Sequence, residues 1–407
     1  MRLKTKGGLE FIFLIVLITS ITPLSLDALL PALTAIGTSL CVKDSNELQL
    51  IISMFVFGMV FGELIFGPLS DAIGRKIAIL IGIIIYCGGT ICAMEAQSMS
   101  QMLLGRVIQG IGVSGPKIAS RAMIRDKFEG NKMARVLSFI LIFFILVPMF
   151  APAIGQGILF IADWQAIFIF FLFIAGSSTS WLFLRQPETL APSLRRPLAL
   201  KSLLEASGLI VRHTRVMACT AIAGLIFSIL LVYISTSPSM FQHMYDKGNS
   251  FSFYYAILAS GFGFAALLNS HFVMRYGMHR LMFWGIIGLI ALGFYLLFGV
   301  VMYSGVPPFL YFMIGCFCLL FCLGILFSNV NAMAMQSLGK IAGLGTSITS
   351  AFSSIIAVVI SMIIGSFYND TLYPLTIGIL SCSVISLQLL RLAHRSSQEE
   401  VIPRERK

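Results

Sequence analysis

Charge is scarce in this sequence. Asp, Glu, Lys and Arg make up 11 % of its 407 residues, less than half of the about 25 % usual in soluble globular domains. With 58 % hydrophobic residues, that shortage excludes an ordinary soluble domain. Stretches that alternate apolar and polar residues at period two are missing, which excludes a membrane β-barrel. No G-x-x-x-x-G-K-[ST] loop is present, so ATP hydrolysis by this chain is not expected. Nor is there a disulfide framework, because the eight cysteines are scattered, most of them in apolar stretches. Cys316, Cys318 and Cys322 lie close together, yet without neighbouring His or acidic residues they read as packing rather than as metal ligands. No metal and no cofactor is expected.

What the sequence has instead is long apolar runs, repeated from end to end at the roughly 20 residues a bilayer-spanning helix needs. Twelve are expected, over 11–40, 48–68, 77–95, 101–122, 134–162, 165–184, 214–241, 251–274, 281–303, 308–336, 344–368 and 372–393. Backbone polar groups in lipid must be satisfied within the segment, so these runs read as α-helices. The first is far longer than a signal-peptide core and is expected to be the first span rather than a leader. All but four of the 28 Lys and Arg fall on alternate connections, counted from the N-terminus. The exceptions are Lys43 and Lys247 on the opposite side, and Arg106 and Lys117 inside the fourth span. An even number of spans with both termini cytoplasmic follows. The net charge of +11 then orients the chain in a membrane, and no nucleic-acid partner is expected.

The longest internal connection divides six spans from six. The expected organisation is an N-terminal six-helix bundle over 1–190, a cytoplasmic linker over 191–213, and a C-terminal six-helix bundle with a short cytoplasmic tail over 214–407. Within the linker, "LKSLLEASGLI" has helical spacing and is expected along the membrane surface. An internal repeat is faint: aligning Gly74 with Gly277 keeps a basic tail after both but places Met274 where Asp71 stands.

The carboxylates in apolar runs carry the functional argument. Asp27 lies in the first span, where an ionised, unpaired carboxylate costs several kcal/mol. It should face a cavity, find a partner, or take up a proton, and Arg106, also in the membrane, is the expected partner. A structural hydrogen bond between helices is the alternative use. Glu63, in the second span, reads equally as a second proton or cation site or as a group solvated at the cytoplasmic mouth. In the fifth span Pro148 and Pro152 each remove a backbone donor, while Gly155 and Gly157 allow a close helix approach. Tyr233, Gln109 and Asn331 are candidates for lining a cavity.

Six stretches in order then point one way. "GPLSDAIGRK" resembles the signature loop of the major facilitator superfamily, G-x-L-x-D-R-x-G-R-[RK], through Gly67, Leu69, Asp71, Gly74, Arg75 and Lys76, with Ala72 in place of the first Arg. "GRVIQGIGVSG" resembles the family's helix 4 motif through Arg106, Gln109, Gly110 and Gly112. "SRAMIRDKFEG" resembles the following loop of the Bcr/CflA group of drug:proton antiporters through Arg121, Ala122, Arg125 and Asp126. "VPMFAPAIGQG" is similar to the antiporter motif in helix 5, and "DWQAIF" with "PETL" is similar to stretches of the same group. "LDALLPAL" matches its D-x-x-x-P-A-L stretch through Asp27, Pro31, Ala32 and Leu33.

The resemblance implies an all-α membrane protein of the major facilitator fold, with twelve helices in two six-helix bundles around a central cavity. It further implies rocking of one half against the other. By the same resemblance the signature loop gates the cytoplasmic side through Gly67, Asp71, Gly74, Arg75 and Lys76. The Arg in helix 4 takes part in proton coupling, and the helix 5 motif limits leak. The function implied is proton-coupled efflux of amphipathic small molecules or antibiotics across a bacterial inner membrane, by a monomer whose partners are its substrate, protons and the lipid bilayer. A transporter of one metabolite, such as a siderophore or sugar derivative, is the alternative on the same fold.

Overall fold

Why the first span is long becomes clear from its interior. The computed structural model describes residues 6–44, 46–128, 130–195, 208, 210–211, 213–338 and 342–399. Its first helix, α1 (Lys6–Asp27), ends at Asp27, a 3₁₀ turn follows at Leu30–Ala32, and α2 (Leu33–Ser39) completes the crossing. Pro31 in that turn has no backbone N–H to continue the helix ladder, which accounts for the break. A long helix and a short one in series therefore make up one span of 31 residues, Leu9–Ser39.

Further along lie α3 (Glu47–Ile73), α4 (Arg75–Met94), α5 (Met99–Lys127), α6 (Gly130–Leu159) and α7 (Gln165–Arg185). The second half carries α8 (Thr214–Ser239), α9 (Phe251–Tyr276), α10 (Met278–Met302), α11 (Phe309–Leu338), α12 (Ala342–Ser366) and α13 (Tyr373–Glu399). Among the described residues, ten segments are long and apolar enough to cross a membrane, and a shorter apolar stretch, Leu146–Leu159, belongs to α6. α5 equals the others in length with 29 residues, but Arg106, Lys117 and Arg121 lower its hydropathy. An all-helical membrane architecture results, without strands among the described residues.

The chain divides into two compact units, Met1–Ala199 and Leu200–Lys407. In the first, α5 lies between α3 and α4 and packs along both. Glycines let the backbones meet: a Cβ on Gly82 would sit 2.7 Å from Gly112 O and 2.9 Å from Gly115 Cα. In the second, α8 packs on α12 and α13, and α11 packs on α9 and α10. Most of the linker, including the stretch expected along the membrane surface, lies outside the described residues.

The faint repeat has a conformational trace. Gly74, between α3 and α4, has φ +104° and ψ 159°, and Gly277, between α9 and α10, has φ +77° and ψ 154°. Both precede the next helix in a backbone conformation that a side chain would strain. Their surroundings differ, since a Cβ at Gly277 would meet nothing within 4 Å among the described residues.

Candidate functional site

In the first unit the interior polar groups form a connected network centred on Arg106, which is fully buried. Its Nε donates to Ile51 O at 2.9 Å, one Nη to Gln109 Oε1 at 2.7 Å and the other to Ser25 O at 3.0 Å. The guanidinium also lies over the Phe55 ring, 4.4 Å from its centroid. Gln109 passes the chain on, donating from Nε2 to Thr90 Oγ1 at 2.8 Å, and Thr90 donates to Tyr86 O at 2.7 Å. Ser25 Oγ donates to Ile21 O at 2.7 Å, which leaves the Tyr86 hydroxyl as donor in the 2.6 Å contact between Tyr86 and Ser25. One guanidinium thus ties α1, α3 and α5 directly and α4 through Gln109.

Asp27, the last residue of α1, is only 4 % exposed. The expected pairing with Arg106 takes another form, because the contacts of Arg106 run to Ser25 O, Ile51 O and Gln109 Oε1 rather than to the carboxylate. The reason lies in the helix end. The last carbonyls of a helix lack intrahelical partners and carry partial negative charge, which a cation complements. Arg106 holds the turn that carries Asp27. Gln109, expected to line a cavity, is instead fully buried inside this network. Ser25, Tyr86 and Thr90 complete it, and none stood out in the sequence, since hydroxyl side chains are frequent in apolar spans.

Glu63 on α3 is 2 % exposed and pairs with Lys117 Nζ on α5 at 2.5 Å; Lys117 is 24 % exposed. A fully solvated Glu63 is therefore excluded. Sequence reading placed Lys117 in the membrane without a partner, because 54 residues separate the two.

At the turn between α3 and α4 the structure brings most signature residues together. Arg75 donates to Asp71, to Ser70 Oγ at 3.1 Å and to Asp126 Oδ2 at 3.0 Å. The Glu188 carboxylate, in the stretch after α7, caps the start of α4 by accepting Arg75 N at 3.1 Å and Lys76 N at 3.0 Å. It accepts Thr189 N at 2.8 Å and Leu190 N at 3.0 Å as well. Burial opposes its ionisation, but the N–H groups of Leu190, Lys76, Arg75 and Thr189 outweigh that and hold the carboxyl below its ordinary range. Lys76 Nζ reaches Gln186 O at 2.7 Å, and Lys127 Nζ reaches Gln186 Oε1 at 2.8 Å. Gly74 is needed twice over: its φ is positive, and a Cβ there would lie 2.8 Å from Glu188 Oε2. Gly67 lies half-buried within α3, outside this clasp.

α6 runs as one helix through Pro148 and Pro152. Its two motif glycines differ. Gly155 leaves room for the Ala28 carbonyl, which a Cβ would overlap, and lies beside Pro31, whereas a Cβ at Gly157 would meet nothing within 4 Å among the described residues. The expectation of close approach holds for Gly155 and is corrected for Gly157. α6 therefore leans on the same break in the first span that carries Asp27. In the second unit Tyr233 is buried and stacks on Tyr255 with centroids 6.1 Å apart. Asn331 is exposed and donates to Phe327 O at 2.8 Å.

Comparison with known proteins agrees with this arrangement. Over 398 residues the chain is 26 % identical to a Haemophilus influenzae protein named "Bicyclomycin resistance protein homolog", covering 94 % of this chain and 96 % of that one. It is 30 % identical over 226 residues to "Multidrug resistance protein MdtL" of Salmonella paratyphi C, covering 54 % and 55 % of the two. A solved D-xylose-proton symporter shares the fold with a TM-score of 0.75 over 93 % of this chain and 98 % of that one, at 14 % identity. Residues 15–362 match the Major Facilitator Superfamily. With membrane-crossing helices throughout and a match over most of its length, the chain belongs to the Major Facilitator Superfamily and is a multi-pass membrane transporter of small molecules, not an enzyme.

Proposed function

We propose that the protein exports amphipathic small molecules, antibiotics among them, across a bacterial inner membrane, and that proton influx drives each export step. The observation that carries this reading is the buried carboxylate of Asp27, at the break of the first span and beside the Arg106 network. Burial favours the neutral acid and neighbouring positive charge favours the carboxylate, and such opposed effects poise a group to exchange a proton during a transport cycle. The resistance relatives support export as the direction. In this reading the protein works as a monomer with both termini in the cytoplasm, and alternating access is controlled at the inner face by the Gly74 to Lys76 turn.

The test is proton movement in reconstituted vesicles. Adding a toxic amphiphile that the protein confers resistance to should release protons from the vesicle lumen in the wild type and not in Asp27→Asn. Equal proton release by both proteins would refute the assignment. Resistance to a single compound in a broad cellular panel would favour a transporter of one metabolite.

A further inference from the structure

In the first unit the cations of α5 outnumber the buried carboxylates nearest them. Arg106 and Lys117 lie inside one span, with Arg121 towards its end, against Asp27 and Glu63 in two others. Arg106 is spent on carbonyls and Gln109. Lys117 is matched by one oxygen of Glu63, while the other, Oε2, is buried with no hydrogen-bond partner among the described residues. Arg121 follows Lys117 by four residues on α5, which puts both on one helix face. It is exposed and has no ion pair among the described residues. Glu63 thus balances one of two cations and leaves a net positive charge on that face.

We propose that Lys117 and Arg121 form an anion-accepting site whose strength Glu63 sets, and that the cargo engaged there carries a carboxylate, sulfonate or phosphate. A negative group bridging the two cations brings the cluster to neutrality with Glu63 still ionised. A permanently cationic amphiphile meets repulsion instead. That the anion is cargo rests on the export reading above; the anion site does not.

Binding of carboxyfluorescein, an anion, and ethidium, a cation, to the purified full-length protein tests this by fluorescence anisotropy. Glu63→Gln should tighten carboxyfluorescein by about tenfold, and Arg121→Gln should weaken it by about tenfold, with ethidium shifting the opposite way. Added salt should weaken the anion alone. Lys117→Gln leaves Glu63 buried and unpaired and is open to misfolding. Glu63→Gln combined with Lys117→Gln restores the original net charge but removes one of the two bridging cations, so it should bind carboxyfluorescein more weakly than Glu63→Gln alone. No carboxyfluorescein binding by the wild type, or affinities indifferent to Arg121→Gln and Glu63→Gln, would overturn the site.

Two further measurements separate the sources. In phosphatidylcholine nanodiscs, complete displacement of the dye by phosphatidylglycerol would make the anion a lipid headgroup and overturn the cargo assignment. In vesicles, transport of carboxyfluorescein supports it, and transport of ethidium alone overturns it. Binding that follows the charge series with neither dye moved would count against the export reading and leave the anion site standing.

Discussion

At the scale of single residues, function rests on a few charges in an apolar setting, and each has its own geometry. Asp27→Asn keeps size and hydrogen-bonding capacity but removes titration, so transport-linked proton movement should vanish while the protein still folds, as an unchanged unfolding temperature in detergent would show. Arg106→Lys is not conservative here, because one ammonium cannot serve Ser25 O, Ile51 O and Gln109 Oε1 together. Each orphaned buried acceptor costs about 1–3 kcal/mol, and thermal unfolding should register a drop of at least that size. Asp27 and Arg106 were legible in the sequence, as charges that apolar runs do not need. Their relation was not: the bond to the Ser25 carbonyl depends on where α1 ends. The Glu63 and Lys117 pairing was equally hidden, since nothing in spacing tells which faces of two helices meet.

At the scale of elements, apolar length revealed the spans, and it revealed α5 in spite of that helix's cations. The break between α1 and α2 had a visible sign in Pro31, but its consequence, a carboxylate at a helix end, needed the backbone. Composition could not tell Gly155 from Gly157, because orientation about the α6 axis decides which one meets the first span. Gly155→Ala should destabilise the protein by about 1–3 kcal/mol through overpacking against Ala28, and lower transport, while Gly157→Ala should leave both unchanged; thermal unfolding and vesicle uptake check the pair. Glu188 gives a pH signature. Its carboxyl is held below the ordinary range, so the stabilisation is complete above the usual value of about 4.3 and is lost as pH falls through the lowered one. Unfolding temperature measured against pH should drop on that acidic limb in the wild type, and Glu188→Gln should flatten the drop.

At the scale of the whole molecule, the two units divide the polar work unequally. Between 216 and 390 the charged residues fall at the ends of spans, at Asp246, Lys247, Arg275, Arg280, Lys340 and Asp370, whereas the first unit carries Asp27, Glu63, Arg106 and Lys117 well inside its own. A substitution in the second unit, such as Asn331→Ala, should therefore change which compounds are moved without abolishing proton movement; a resistance panel beside a vesicle proton assay separates the two effects. The duplication behind the fold was legible only as Gly74 and Gly277, two positions that need the same backbone conformation. The Glu188 cap around the first of them has no counterpart at the second among the described residues.

Among the described residues the last to join that cap are Thr189 and Leu190, so its described bonds precede the long connection. A backbone nick after residue 195 would sever the chain without touching any of them. Two co-produced pieces, 1–195 and 196–407, are thus expected each to insert in the membrane, the first with its Gly74 turn still fastened.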